Sequence, residues 1–464
     1  MSPAFAAFAF AACAHSESPV PAAPPAAVHA SPAPAQADER SEVADDPAGD
    51  RAAASIAPVP LENAAVLARF FQRLADLEAG RAGSDVRVVQ FGDSHTQSDL
   101  GTGSVRRALQ ARFGDGGRGF IPLVLPAKGW LQTGVRADVP REWTIARMKM
   151  KRRKGEKTST LTGDGFYGLG GVSAVAQKPG GRLWLEVPAS PRVEIAYLEQ
   201  PRGGAFDVYI DGARAARVPS AAKSAVSAYR AFDLPDAPHR IELEAHGGGE
   251  ARIFGVTLDR PALGITLDAL GIVGARASGI LEWNEAHFGE QLRHRAPDLV
   301  IFAYGTNEAS YDIDIPAYEK QLTDVLARVA RAVPERACLL LGPPDWVQRG
   351  VDGAATPQKL FDVIATQRRV ALSAGCAFFD QFEVMGGAGS MEDWASATPP
   401  LGRSDRVHLT KAGYERLATA FVNALLASYD DWRDENVPEA SPAPAPAKPA
   451  VAGTDAGAPA TGDD

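Results

Sequence analysis

The run Val86-Arg87-Val88-Val89-Gln90-Phe91 is followed at once by Gly92-Asp93-Ser94-His95. A short β-branched run of this kind predicts a buried strand. The glycine lets the backbone turn sharply at its end, and a small hydroxyl is left at the strand's carboxyl edge. In open α/β sheets that edge is where ligands bind. A serine there is a nucleophile only if a base and an oxyanion site arrive from elsewhere.

Three later segments offer these parts. Ser404-Asp405-Arg406-Val407-His408-Leu409 precedes the helical run Thr410-Lys411-Ala412-Gly413-Tyr414. On a tight turn, the three-residue spacing lets the Asp405 carboxylate reach one imidazole nitrogen of His408 and leaves the other for Ser94. A carboxylate behind a histidine base is what acyl transfer needs. Leu299-Val300-Ile301-Phe302-Ala303 leads into Tyr304-Gly305-Thr306-Asn307-Glu308, a second strand with a glycine turn and a carboxamide beyond it. That amide can donate to a developing oxyanion. Leu267-Asp268-Ala269-Leu270-Gly271 and the following Ile272-Val273-Gly274-Ala275 supply a further strand end, whose glycine N–H is a second donor. Of the neighbouring side chains, His95 is expected to pack or hydrogen-bond locally, and Glu308 to serve either loop structure or substrate contact.

These four blocks, in this order, resemble the SGNH (GDSL-type) hydrolase family. The resemblance implies Ser94 as nucleophile, His408 as base oriented by Asp405, and an oxyanion hole built from Gly274, Asn307 and the Ser94 N–H, with Gly271 as a neighbouring candidate for the glycine. The wording Gly92-Asp93-Ser94-His95-Thr96, with Tyr304 to Ala309 and the later Pro343-Pro344-Asp345, resembles the bacterial peptidoglycan O-acetylesterase branch. It covers residues 86–114 and 264–429. It implies a flavodoxin-like three-layer α/β core with a parallel sheet, and a serine esterase that removes O-acetyl groups from a carbohydrate, peptidoglycan first. Acetylated xylan, another polysaccharide, or acetyl transfer to a sugar hydroxyl are the alternatives. From a different class, the chain is a wall-binding module with a vestigial site. No cofactor is implied, and no Cys/His cluster has zinc spacing.

With 464 residues, 45% hydrophobic and 23% charged, the chain has ordinary globular composition and length for more than one core. Its net charge of -9 argues against a nucleic-acid binder, which would be expected to lean basic. The single basic run, Met148 to Lys154, reads as a solvated loop or as a contact with an anionic polymer such as wall glycan. Residues 1–13, ending Phe10-Ala11-Ala12-Cys13, resemble a lipoprotein signal with Cys13 as the lipid site, although no Lys or Arg precedes the apolar run. The expectation is export to the periplasm or cell surface. No apolar run reaches the ~20 residues of a membrane span. Cys338 and Cys376 each begin an apolar run and are expected as buried thiols rather than a bridge, since neighbouring parallel strands rarely suit disulfide geometry.

The organisation expected is an Ala/Pro-rich linker over 14–62, a first part of the core over 63–114, an inserted all-β, jelly-roll-like domain over 115–262 that either binds carbohydrate or only shapes the cleft, a second part of the core over 263–430, and a Pro/Ala-rich disordered tail over 431–464. The insert is inferred from short alternating runs such as Leu183 to Val187, Val193 to Leu198, Phe206 to Ile210, Ile241 to Ala245 and Arg252 to Leu258. After Ile265 strands and helices alternate again, which implies a parallel sheet covered on both faces.

Overall fold

The computed structural model describes residues 58–437 other than 124–131, 149, 153–158, 162, 312 and 351–352. Cys13, nearly all of the 14–62 linker, the tail beyond 437, and Lys149, Arg153 and Lys154 of the basic run lie outside the described residues. No helix among the described residues is long and apolar enough to cross a membrane.

The β-branched and apolar runs at Val86–Gly92, Ile265–Gly271, Leu299–Ala303, Ala337–Leu341 and Ala377–Phe379 are strands of one sheet. Every neighbouring pair is parallel. Their nearly unbroken burial is what a sheet covered on both faces requires. Numbered along the chain, the strands lie in the spatial order 2-1-3-4-5. That is the flavodoxin-like order, with its switch point between the Val86–Gly92 and Leu299–Ala303 strands.

Alternation along each strand divides the sheet's two faces. Val86, Val88, Leu299, Ile301, Leu339 and Leu341 pack on one face with Phe70, Phe71, Leu74, Leu109, Phe113, Leu417, Phe421 and Tyr429. These come from the helices Ala68–Glu78, Asp99–Phe113 and Lys411–Asn436. Val89, Phe91, Val300, Phe302, Cys338 and Leu340 face the other way, onto Phe288, Leu292, Leu322, Val325, Val329 and Val363. Those belong to the helices Glu285–Arg295, Ile315–Ala332 and Gln358–Ser373.

Residues 117–259 fall between the first two strands of that sheet in sequence and build two antiparallel sheets of five and six strands. All five runs singled out in this stretch are strands. Leu183, Leu185, Phe206, Val208, Ile241 and Leu243 of one sheet meet Val193, Ile195, Ile253, Val256 and Leu258 of the other in a shared apolar core. The outer face of the six-stranded sheet, through Ala196, Leu198 and Phe254, packs with Trp283, Phe288 and Leu292 of the parallel-sheet unit. A buried ion network reinforces the junction. Arg295 reaches Asp268 at 2.6 Å and Asp259 at 3.0 Å, and Asp268 also accepts the Phe120 N–H at 2.8 Å.

One expectation fails. Cys338 and Cys376 form a disulfide with their Cα atoms 4.6 Å apart. The register pairs Leu339 with Ala377, which sets Cys338 beside Cys376. Cys376 precedes the ladder-bound residues of its strand, so its side chain is free to turn toward Cys338 as a residue fixed inside a parallel ladder is not. In the chain-entropy picture, a bridge spanning 38 residues stabilises by about 4 kcal/mol. Replacing both cysteines with alanine should lower the unfolding free energy by roughly that amount in urea titrations. An unchanged midpoint would show that the bridge does not constrain the unfolded chain.

Candidate active site

Ser94 opens a four-residue helical turn directly after the first strand, and Asp93 caps it by accepting the His95 N–H at 3.0 Å. Gly92 is required here because a Cβ would press into the Thr96 side chain and lie 2.8 Å from the Ala303 carbonyl oxygen. The turn therefore folds back tightly over the sheet edge and presents the serine at the switch point between strands.

The imidazole beside Ser94 arrives from the other end of the chain. His408 Nε2 lies 2.9 Å from Ser94 Oγ, and His408 Nδ1 lies 2.8 Å from Asp405 Oδ2. Asp405 Oδ1 accepts the N–H groups of Val407 and His408 at 3.0 and 2.9 Å. Burial pushes the Asp405 carboxyl up, but the His408 ring and these backbone donors outweigh it and hold the group well below the usual carboxylate range. An ionised carboxylate only accepts, so Nδ1 carries the ring hydrogen and Nε2 is left to accept from the Ser94 hydroxyl. Arg406, with φ 59°, makes the turn, and its guanidinium is held on Glu392 at 2.8 and 3.0 Å. Thr410 then caps the Lys411–Asn436 helix. Such an arrangement can take the serine proton onto the imidazole while the carboxylate steadies the cation.

The loops after the second and third strands close around the same edge. Asn307 Nδ2 donates to the Ala275 carbonyl at 2.9 Å and sits 3.5 Å from Asp93 Oδ2. Gly274 occupies the exposed apex of a turn closed by Ala275 N–H to Ile272 C=O at 3.0 Å, with φ +73°. The Ile272 N–H is bound to the Gly92 carbonyl at 3.1 Å, which ties this turn to the serine's own strand. Gly271 is packed against the backbone of Thr96 and Gln97 and ends the second strand. Glu308 is buried, and its carboxyl accepts the Ala277 N–H at 2.8 Å and the Gly305 N–H at 3.0 Å. Of its two expected roles, loop structure is the one these bonds describe. It clasps the two loops together.

Ser94, His408 and Asp405 are thus brought into one hydrogen-bonded chain, Asn307 lies beside Asp93, and Gly274 lies on a loop fixed to Gly92. His95 pairs locally with the Tyr414 hydroxyl at 3.0 Å, and burial, then the His408 ring 5.3 Å away, pushes its imidazole down to about 3. It is a neutral packing group. Asp345 is also buried, accepting from Thr356 Oγ1 at 2.7 Å and the Met391 N–H at 2.9 Å, so it organises loops. Sequence reasoning quoted Asp93 within its motif but gave it no task. Its place between Ser94 and Asn307 was hidden because the partner is 214 residues away. No group of three or more metal-ligating side chains is found among the described residues.

Burial, with the neighbouring Glu308, pushes the Asp93 carboxyl up to about 7 against the pull of the His95 N–H and His408. An unfolded aspartic acid loses its proton near pH 3.9. The folded state therefore binds more protons between about pH 4 and 7, and stability falls as pH rises through that window. Asp93→Asn should remove this slope. Its unfolding free energy relative to wild type should be higher at pH 8 than at pH 4 by on the order of 4 kcal/mol. Equal differences at both pH values would show that Asp93 ionises normally.

Residues 245–416 match the family model described as the GDSL-like lipase/acylhydrolase family. The match begins downstream of Ser94. No curated protein matches the chain. A solved structure described as "Peptidoglycan O-acetylesterase in action, 5 min" is 28% identical, covers 78% of this chain and 96% of its own, and superposes with a TM-score of 0.63. A family two carbohydrate esterase from Clostridium thermocellum in complex with cellohexaose is 12% identical over 56% of this chain and 95% of its own, with a TM-score of 0.28. That superposition is too loose to carry an argument. On the family match and the first likeness, the chain carries a GDSL-like lipase/acylhydrolase domain of the SGNH type and is a carboxylic ester hydrolase.

Proposed function

We propose that the protein is a serine esterase that removes O-acetyl groups from peptidoglycan by way of an acyl-enzyme. The reading rests on the continuous chain from Asp405 through His408 to Ser94, with separations of 2.8 and 2.9 Å. The hydroxyl attacks the acetyl carbonyl as His408 Nε2 takes its proton. The oxyanion is held by the Asn307 amide with the Ser94 and Gly274 N–H groups. His408 then protonates the departing sugar oxygen, and water, deprotonated by the same ring, releases acetate and frees the serine.

The choice of glycan is supported by the 28% identity to a peptidoglycan O-acetylesterase along most of both chains. An extracytoplasmic location is supported by the Cys338–Cys376 bridge, because disulfides persist in oxidising compartments. The antiparallel sheets of residues 117–259 serve in this reading as an inserted glycan-binding module.

Ser94→Ala should abolish release of p-nitrophenol from p-nitrophenyl acetate and of acetate from O-acetylated peptidoglycan. Comparable turnover by purified wild type and variant would overturn the reading. Asn307→Ala, which removes one oxyanion donor, should lower kcat by roughly 10²–10³, about 3–4 kcal/mol, on both substrates. Faster acetate release from acetylxylan than from peptidoglycan would keep the chemistry and replace the substrate.

A further inference from the structure

The Asp93 carboxyl adjoins the nucleophile and has no part in the reaction steps proposed above. It is buried at the head of the helical turn that carries Ser94. Its Oδ1 accepts the His95 N–H at 3.0 Å, and its Oδ2 faces Asn307 Nδ2 at 3.5 Å. An amide nitrogen carries two hydrogens. On Asn307, the Ala275 carbonyl takes one of them at 2.9 Å, which fixes the side chain to the neighbouring loop. The other is the hydrogen left for an oxyanion, and it is directed at Asp93 Oδ2.

The length of that second contact bears on the charge of Asp93. A charge-assisted N–H bond to a carboxylate is ~2.7–2.9 Å long. A separation of 3.5 Å is the loose contact of an un-ionised carboxyl. The surroundings agree. Glu308 and the Tyr304 phenol face Asp93 from the loop after Leu299–Ala303, Tyr414 faces it from the Lys411–Asn436 helix, and the His408 ring faces it with Asp405 behind. Arg276 in turn faces Glu308. Burial, together with Glu308, outweighs the His95 N–H and His408 and keeps the carboxyl neutral up to about pH 7. Ionisation changes the balance at Asn307. A carboxylate oxygen is a stronger acceptor, so it competes with the oxyanion for the same hydrogen. Its negative charge also opposes a second one forming beside it.

Resting on the esterase reading above, in which Asn307 is an oxyanion donor, we propose that Asp93 is a positioning residue for that donor. Un-ionised, Asp93 leaves one Asn307 hydrogen free to bind the oxyanion. Ionised, it draws that hydrogen onto itself and disables the donor. The proton concerned passes to solvent and takes no part in the transfer from Ser94 to His408. Asp93 thus sets an upper pH limit on turnover and acts through Asn307 rather than on the substrate.

Two measurements test this. The first is the side-chain amide resonance of Asn307 in the Ser94→Ala protein carrying isotope-labelled asparagine, assigned by its loss in Asn307→Ala. It should shift with pH about a midpoint near 7, and adding Asp93→Asn should leave it fixed. The second is kcat on p-nitrophenyl acetate, corrected for spontaneous hydrolysis. In the wild type it should fall from its maximum by roughly tenfold or more as pH rises to about 9. Asp93→Asn should hold a level kcat over the same alkaline range. Asn307→Ala, slower throughout, should also be level, because the group through which Asp93 acts is gone. An Asn307 resonance that ignores pH, or that still titrates in Asp93→Asn, overturns the proposal. So does a wild type with no alkaline loss, or a loss that persists undiminished in either variant. If Asp93→Asn does not fold, the Asn307→Ala profile and the Ser94→Ala spectra decide. The spectra need no turnover, so a wild type inactive on acetate esters at every pH sinks the esterase reading and leaves the coupling of Asp93 to Asn307 to be settled by the amide resonance.

Discussion

A single imidazole closes a circuit between residues 314 apart in sequence. His408 can do so only because the parallel sheet delivers its strand ends to one side. Crossover connections bring each strand back parallel to its neighbours, so every carboxyl end faces the same way. The serine leaves the first strand at the position where the strand order reverses, and there helices on opposite faces diverge and leave a cleft. The histidine comes from a loop rather than a strand, yet local bonds hold it in place. Asp405 reaches the two following backbone N–H groups as well as the ring, and Thr410 fixes the start of the long helix behind it. The imidazole is thus oriented by residues within a few positions of itself, and only its distance to Ser94 depends on the global fold.

Two buried carboxyls stand behind this edge, Asp93 and Glu308, and burial pushes both upward. Neither belongs to the hydrogen-bonded chain of Asp405, His408 and Ser94. Each accepts backbone N–H groups that loops would otherwise leave unsatisfied away from water. Acceptors placed there set loop geometry more tightly than apolar packing does, at a cost in folding stability. Sites that need preorganised donors commonly carry such a cost, since a donor that must reorganise during the reaction stabilises charge less.

Much of this was legible in the chain. Strands of the parallel sheet announce themselves because both their faces are buried, so their sequences are nearly uninterrupted apolar runs. The Asp405–His408 contact is local and could be read from spacing. What escaped had other causes. The strand Ala213–Pro219 lies at the edge of its sheet with most side chains exposed, and Val226–Asp233 edges the other. With little burial to enforce alternation, Ala-Arg-Ala-Ala-Arg-Val-Pro carries no pattern to find. The Cys338–Cys376 bridge depends on which strands become neighbours and in what register, a property of topology. The partners of Asp93 and Glu308 were invisible for the same reason, being backbone and side-chain groups on loops that meet only when the sheet has formed.

The clasp through Glu308 makes residues 272–277 and 305–311 a unit. A carboxyl bridging two main chains leaves neither segment able to shift without breaking a bond buried away from solvent. Any attempt to retune this enzyme by transplanting one of the two segments from a relative would deliver a half-built socket. The pair has to travel together, as one cassette with its own internal fastening.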